Sequence, residues 1–159
     1  SSRMPKRCSE QLQLRTLTRG WERMGLPGAQ ALVGVMAKRG QEALVIECGQ
    51  HQDPEAPPRA YRFARRFLAR HALIPSTDQP DTECRQFEMF GVIKKPSVDY
   101  RFPRELRGFS ALGSGESLGQ NILVREASVA VMPNDRVAPG EDMLYLARPC
   151  GARRDREPN

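Results

Sequence analysis

The second half of the chain is a series of short apolar runs separated by turn sequences, and this pattern constrains the fold more than any other feature. The runs occupy residues 86–94, 98–102, 121–124, 127–132 and 143–147. Turn sequences such as Gly113-Ser114-Gly115-Glu116 and Pro139-Gly140-Glu141-Asp142 separate runs, and no long helical pattern interrupts them. The 13 prolines and 13 glycines among 159 residues also suit a loop-rich protein better than a helical bundle. This half is therefore predicted to be all-β, either a small sandwich or a barrel-like fold.

The first half mixes helical and strand patterns. Residues 43–48 form an apolar run typical of a strand, residues 29–37 fit either a strand or a short buried helix, and residues 10–24 allow a helix. Residues 57–72 predict an amphipathic helix. Pro57 suits its first turn, because the N–H that proline lacks would have no hydrogen-bond partner there. Its apolar stripe consists of Ala60, Phe63, Ala64, Phe67 and Leu68. Arginines are expected to cover the opposite face, and the whole chain is predicted to be α+β.

A polar segment with two prolines, residues 75–82, is typical of a linker. We therefore predict a first domain over residues 1–80 and an all-β domain over residues 83–150. The remaining residues, 151–159, are rich in arginine and are expected to form a disordered basic tail.

The net charge of +6 would suit a nucleic-acid partner only if the basic residues were clustered on one surface. Much of the excess lies near the two ends, in residues 3–7 and 148–156, and the interior mixes both signs. The arginines of the predicted helix accompany an apolar stripe that is typical of a core-facing side and not of a stacking surface. We expect no nucleic-acid partner.

No apolar run approaches the ~20 residues that cross a bilayer, and residues 1–10 lack the apolar core of a secretory signal. The four cysteines are widely spaced, so neither a zinc knuckle nor a disulfide framework is indicated. These features predict a cytoplasmic protein with reduced thiols and no membrane association.

Glu47 is the main candidate functional residue, because it ends the apolar run Ala43-Leu44-Val45-Ile46. A carboxylate at the tip of a buried strand is poorly solvated on one side, which favours its protonated form and suits proton transfer near neutral pH. From the residues alone a structural role is favoured over a catalytic one, since Glu47 could lie at a solvated strand end or pair with an arginine.

Several segments in sequence order resemble a known family. They are residues 43–51 with Asp53-Pro54 after them, the helix containing Arg65-Arg66-Phe67-Leu68, and the late segments 127–133 and 139–147. Across residues 25–149 the chain resembles the C-terminal part of the succinylglutamate desuccinylase/aspartoacylase family, zinc-dependent amidohydrolases related to carboxypeptidases. The resemblance implies a partial α/β zinc-peptidase-like segment followed by the small all-β domain.

The resemblance also implies a reaction, the hydrolysis of small N-acyl amino acids. In that family a zinc-bound water attacks the amide carbonyl, and the glutamate of a Glu-x-Gly element acts as general base. Glu47, followed by Cys48 and Gly49, is the matching position. Glu47 is therefore the predicted catalytic residue.

The metal ligands of the family have no counterpart here. They come from an upstream His-x-x-Glu motif and a later histidine before the general base, whereas no histidine precedes Glu47 and the chain has only His51 and His71. We expect zinc in the full-length family but no metal ligand and no bound cofactor in this chain alone. The chain should be inactive until a missing N-terminal half, or another chain such as a second copy in a homo-oligomer, supplies the ligands.

The two histidines have separate predicted roles. His51, four residues after Glu47, is predicted either to contact substrate or orient Glu47, or to stabilise a turn. His71, near the end of the predicted helix, suits a packed side chain or one favoured by the helix dipole better than a metal ligand.

Other functions are weighed against the hydrolase. A noncatalytic interaction or regulatory β-module is the main alternative. A carrier of an attached cofactor is disfavoured, because the plausible hairpin Met132-Pro133-Asn134-Asp135 has no lysine. A serine or cysteine nucleophile at Ser114 or Cys48 would need a base and an orienting group that sequence adjacency does not supply.

Overall fold

The computed structural model describes residues 14–21, 35–36, 39–40, 45–49, 52–75 and 84–150. The chain forms two compact units, one from residues 1–17 and 27–85 and the other from residues 18–26 and 86–159. In chain order, the helix and strands are β1 (Thr16–Arg19), α1 (Ala56–Arg70), β2 (Arg85–Lys94), β3 (Ala111–Leu112), β4 (Ser128–Val131) and β5 (Asp142–Pro149). The predicted linker lies almost entirely outside the described residues, as does the predicted basic tail, and the predicted domain boundaries stay predictions.

The strands form an open sheet in the order β1-β2-β5-β4-β3. β5 is its middle strand and pairs antiparallel with β2 on one side and with β4 on the other. The β2–β5 register runs from Phe87 opposite Pro149 to Lys94 opposite Asp142, with a bulge between Met89 and Gly91. The predicted sandwich or barrel is not confirmed, because the described strands belong to this one sheet.

Each face of the sheet carries its own apolar core. Val129 lies opposite Ala147 and Val131 opposite Tyr145, so these side chains share one face. The buried members of that first cluster are Phe87, Met89, Val131 and Ala147. Successive strand residues point to opposite faces, and Ala130 accordingly belongs to the second cluster. Met143 and Leu144 are consecutive and yet both belong to it, because a second register shift, between Ile93 and Lys94, interrupts the alternation at Met143. The buried members of the second cluster are Tyr100, Leu112, Leu118, Val124, Ala130, Met143 and Leu144.

The connection between β2 and β4 supplies much of the second core. Tyr100, which is 1% exposed, donates its phenol hydrogen bond to the carbonyl of Leu118. This bond satisfies the polar end of a large buried side chain, as buried tyrosines require. The connection is therefore part of the folded core and not a solvated loop.

Residues 18–21 are held against β2 and β5 by close packing. The Trp21 ring meets the Tyr145 ring edge-on with centroids 5.1 Å apart, and Trp21 Nε1 donates to Thr18 Oγ1 at 3.0 Å. Gly20 has φ +91°, and a Cβ there would lie 3.1 Å from the carbonyl oxygen of Met89.

Burial, and then the Asp142 carboxylate that accepts the phenol hydrogen bond, raise the pKa of Tyr145 to about 12.

Three predicted strands are confirmed as β2, β4 and β5, each within two residues of the expected ends. The predicted strand at 98–102 is wrong, because Val98 and Asp99 form a turn in which the Tyr100 N–H donates to the carbonyl of Ser97 at 3.3 Å. At 121–124 only Leu123 pairs, in an isolated bridge with Ser117. The predicted helix over 10–24 is wrong at residues 16–19, which form β1.

The predicted helix at 57–72 is confirmed as α1, with prolines in its first turn. Its orientation differs from the prediction. No residue of α1 is fully buried, and the half-buried positions Arg59, Phe63, Arg66 and Arg70 follow one helical stripe. Phe67 and Leu68 of the predicted apolar stripe are 50% and 37% exposed. The arginine stems therefore share the inward side of the helix with Phe63.

Within the described residues, α1 is too short and too polar to cross a membrane.

Candidate functional site

Glu47 lies on an irregular segment and not at the end of a strand. Residues 45–49 have no strand pairing, so the predicted strand is wrong for this described part. Val45 is 60% exposed and Glu47 is exposed as well. The expected one-sided loss of solvation is therefore not seen. Among the residues that the structure describes, no arginine forms an ion pair with Glu47.

The carbonyl group of Cys48, the residue after Glu47, is held by Arg59 of α1. Arg59 Nη1 donates to the carbonyl oxygen of Cys48 at 2.8 Å and to Asp53 Oδ2 at 2.6 Å. Arg59 lies in the first turns of the helix, so one guanidinium nitrogen joins the helix, the loop before it and the backbone next to Glu47. We call this arrangement of Cys48, Gly49, Asp53 and Arg59 the Arg59 clamp.

The Arg59 clamp requires glycine at position 49. Gly49 has φ +121°, a conformation that side chains with a Cβ rarely adopt. A Cβ built there would lie 2.7 Å from Arg59 Nη1 and 3.0 Å from Asp53 Oδ2. The glycine of the Glu-x-Gly element therefore lets a guanidinium approach the backbone directly after the glutamate.

Asp53 orients Arg59 and starts the helix. Its Oδ1 accepts the backbone N–H of Glu55 at 2.9 Å, and its carbonyl accepts the N–H of Ala56 at 2.9 Å. The hydrogen bond from Arg59, followed by the one from the Glu55 backbone, lowers the pKa of Asp53 from its ordinary value of 3.8. Asp53 is therefore ionised at neutral pH and offers Arg59 a fixed negative partner.

Of the two histidines, His71 lies within the described residues. His51 lies outside them, so its predicted role stays a prediction. His71 follows α1 as its C-terminal cap, where it is exposed and its ring lies 4.6 Å from the Phe67 ring. The His71 ring thus contacts a side chain of the last turn of α1, but the residue is exposed and not packed in a core.

The described residues do not fit the zinc ion that the family resemblance implies. Among them, no three or more His, Cys, Asp or Glu side chains are grouped closely enough to hold a metal ion. Asp53, the acidic residue of the Arg59 clamp, already accepts hydrogen bonds from Arg59 and Glu55. No metal-dependent step can be derived from these side chains.

The nucleophile alternative gains no support from geometry. Ser114 Oγ donates to the carbonyl of Arg125 at 3.1 Å, which is a turn-stabilising contact. Cys48 is half-buried, and its thiol lies 3.8 Å from the carbonyl oxygen of Ile46.

Sequence reasoning did not identify Arg59 as a site residue. It grouped Arg59 with the other arginines of an amphipathic helix, and it used Asp53 only as part of a family pattern. The available signal was an aspartate before proline at a helix start, with an arginine six residues later. An arginine one turn into the helix can reach back to that aspartate.

Comparison with known proteins finds similarity at the level of structure. No protein-family model matches the chain, and no curated protein matches it. The crystal structure of a succinylglutamate desuccinylase from Vibrio parahaemolyticus superposes with a TM-score of 0.62 at 16% sequence identity, covering 91% of this chain and 45% of that chain. This chain therefore spans less than half the length of the Vibrio protein. The chain is therefore similar in fold to part of a succinylglutamate desuccinylase, and at 16% identity this likeness concerns the fold alone.

Proposed function

We propose that this chain is the C-terminal portion of an amidohydrolase that cleaves N-acyl amino acids, as the resemblance to succinylglutamate desuccinylase and aspartoacylase implies. The observation that supports this most is the fold likeness to the Vibrio desuccinylase over 91% of the chain. The Glu-x-Gly element, which the sequence resemblance matches to the family's general base, adds support from the residues.

In this proposal Glu47 is the general base. It accepts a proton from the water that attacks the amide carbonyl and returns the proton to the leaving amine. Two observations favour this role. Glu47 is exposed, so water and substrate can reach its carboxylate, and the peptide that follows it is held by Arg59. A general base needs both access and a fixed position.

The proposed zinc ligands must lie outside the described residues, in another part of the protein or in a partner chain. The chain alone is then inactive towards N-acyl amino acids. We propose a cytoplasmic location, where Cys48 and Cys150, which are free thiols in the structure, would stay reduced.

The test measures the hydrolysis of N-succinylglutamate in the presence of zinc, with the release of free glutamate as the readout. The purified chain is assayed alone and mixed with the portion of the Vibrio desuccinylase that has no counterpart in it. We expect hydrolysis only in the mixture. Glu47→Gln should abolish it, because the amide cannot accept the proton, whereas Glu55→Gln should leave it unchanged. Glu55 is a matched control, being an exposed carboxylate without a capping hydrogen bond.

The other outcomes are equally informative. Hydrolysis by the chain alone, with zinc retained near one equivalent, would show that it holds its own metal and would contradict the proposed inactivity. Full activity in Glu47→Gln would remove Glu47 from the mechanism. No hydrolysis in any mixture of folded proteins would favour the alternative, a noncatalytic β-domain module for interaction or regulation.

A further inference from the structure

The Arg59 clamp acts on the backbone beside the proposed general base, and this points to a role that the sequence does not suggest. We infer that Arg59 is a positioning residue that fixes the orientation of Glu47. The inference rests on the proposed function for its catalytic meaning. The positioning itself is a property of the folded chain and can be measured without turnover.

Arg59 contacts the backbone one residue after Glu47. Arg59 does not touch the Glu47 side chain but donates to the carbonyl of Cys48, which belongs to the peptide between Cys48 and Gly49. That peptide plane begins one residue after Glu47 and restricts the backbone rotations at Cys48 and Gly49. The backbone that carries Glu47 is therefore tied to a fixed point one residue away, and the direction of the Glu47 side chain depends on that backbone. Outside the clamp, residues 45–49 have no strand pairing to hold them.

Arg59 is itself held in place by Asp53. Asp53 Oδ2 accepts from the same nitrogen at 2.6 Å, and the arginine side chain is 36% exposed and the aspartate 30%. The Asp53 carboxylate in turn accepts a backbone N–H at the start of α1. Asp53 and Arg59 therefore hold the carbonyl of Cys48 at a fixed position relative to the start of α1. Charge-assisted hydrogen bonds of this kind are stronger and more directional than neutral ones.

Arg59 differs from two neighbouring arginines of α1. Arg62 and Arg65 lie on the same helix and are exposed, and Arg65 lies over the Tyr61 ring at 6.0 Å. Arg59 differs from both because its guanidinium reaches the backbone of another segment. The helix therefore provides a control of the same residue type, Arg62, three positions away.

The experiment measures backbone order by ¹⁵N relaxation in the full chain. In the parent chain the amides of Glu47, Cys48 and Gly49 should have order parameters of about 0.85, and Arg59→Ala should lower them below about 0.6. Arg62→Ala should leave them unchanged. Arg59→Lys should keep part of the order. Both hydrogen bonds of the clamp come from the single nitrogen Arg59 Nη1, and a lysine ammonium can also donate two hydrogen bonds. The amides of α1 report whether the unit that contains Arg59 remains folded in each variant, and those of β5 report the same for the other unit.

Unchanged order at Glu47 and Gly49 in a folded Arg59→Ala chain would overturn the inference. If Arg59→Ala does not fold, Gly49→Ala tests the same clamp from the other side, because its Cβ would meet Arg59 Nη1 at 2.7 Å. The inference fails if that chain keeps the parent order at residues 47–49.

A kinetic reading separates positioning from stability. In the hydrolysing mixture, Arg59→Ala should lower kcat by about 100-fold, the effect expected of a displaced catalytic group, while KM changes little. A rise in KM with kcat unchanged would contradict a role in positioning Glu47. If no mixture hydrolyses the substrate, the proposed function fails, and the relaxation data still decide whether Arg59 orients Glu47.

Discussion

At the scale of single residues, the Arg59 clamp shows how a local backbone contact depends on one glycine and one ion pair. Gly49 accepts φ +121° and leaves room for the guanidinium, and Asp53 supplies the charge that keeps the guanidinium in place. Neither effect depends on burial, since both charged side chains are about one-third exposed. The contact should therefore respond to pH and not only to substitution.

Acid should release the loop through Asp53. Because the folded state lowers the pKa of Asp53 below 3.8, its contribution to stability is present above pH 3.8 and is lost as the pH falls through the lower, folded value. The order parameters of residues 47–49 should stay constant from neutral pH to pH 3.8 and fall below it. Asp53→Asn should remove this acid transition. An equal transition in Asp53→Asn would assign it to another group.

The sequence singled out Glu47 as a candidate residue but did not predict the geometry of the Arg59 clamp. The apolar run before Glu47 suggested a strand, yet Val45 is 60% exposed and the segment is unpaired. Hydropathy records residue type and not whether a partner strand is present. The link between Arg59 and Cys48 depends on a positive φ at Gly49 and on a distance between segments, and no sequence period encodes either quantity.

At the scale of elements, α1 and the sheet differ in how well the sequence predicted them. The strands β2, β4 and β5 were predicted because runs of apolar residues there end at turn sequences. β3 has only two residues, too few for a pattern, and forms because its partner β4 is already part of the sheet. The face of α1 was predicted wrongly because arginine stems occupy positions that hydropathy assigns to solvent.

The middle strand should be the most sensitive element. Leu144 on β5 is fully buried, and Leu144→Ala should lower the free energy of unfolding by about 2–5 kcal/mol through lost burial and a residual cavity. Leu123→Ala should cost less than about 0.5 kcal/mol, because Leu123 is 59% exposed. Urea unfolding followed by fluorescence would measure both. Equal losses would show that Leu144 does not belong to the core.

At the scale of the whole molecule, the described strands share one sheet with an apolar core on each face. β5 pairs on both sides and contributes to both cores, whereas β1 and β3 lie at the edges. Opening β5 would disrupt both cores at once. The free energy of opening β5 should therefore approach the free energy of unfolding the unit formed by residues 18–26 and 86–159.

Native-state hydrogen exchange should follow that order. The amides of β5 should be the most protected of the described strands, β2 and β4 should come next, and β3 should exchange fastest together with β1. Exchange measured by NMR at several denaturant concentrations would test this ranking. Protection of β3 equal to that of β5 would contradict it.

The middle position of β5 also affects how the protein is made. Residues 95–141 separate β2 from β5, although the two strands are neighbours in the sheet. During synthesis the ribosome completes β2 long before β5, so Phe87 and Met89 emerge without the strand that later pairs with them. The sheet cannot close around its middle strand until residue 149 has left the ribosome, and until then the nascent chain exposes apolar surface that a chaperone would recognise.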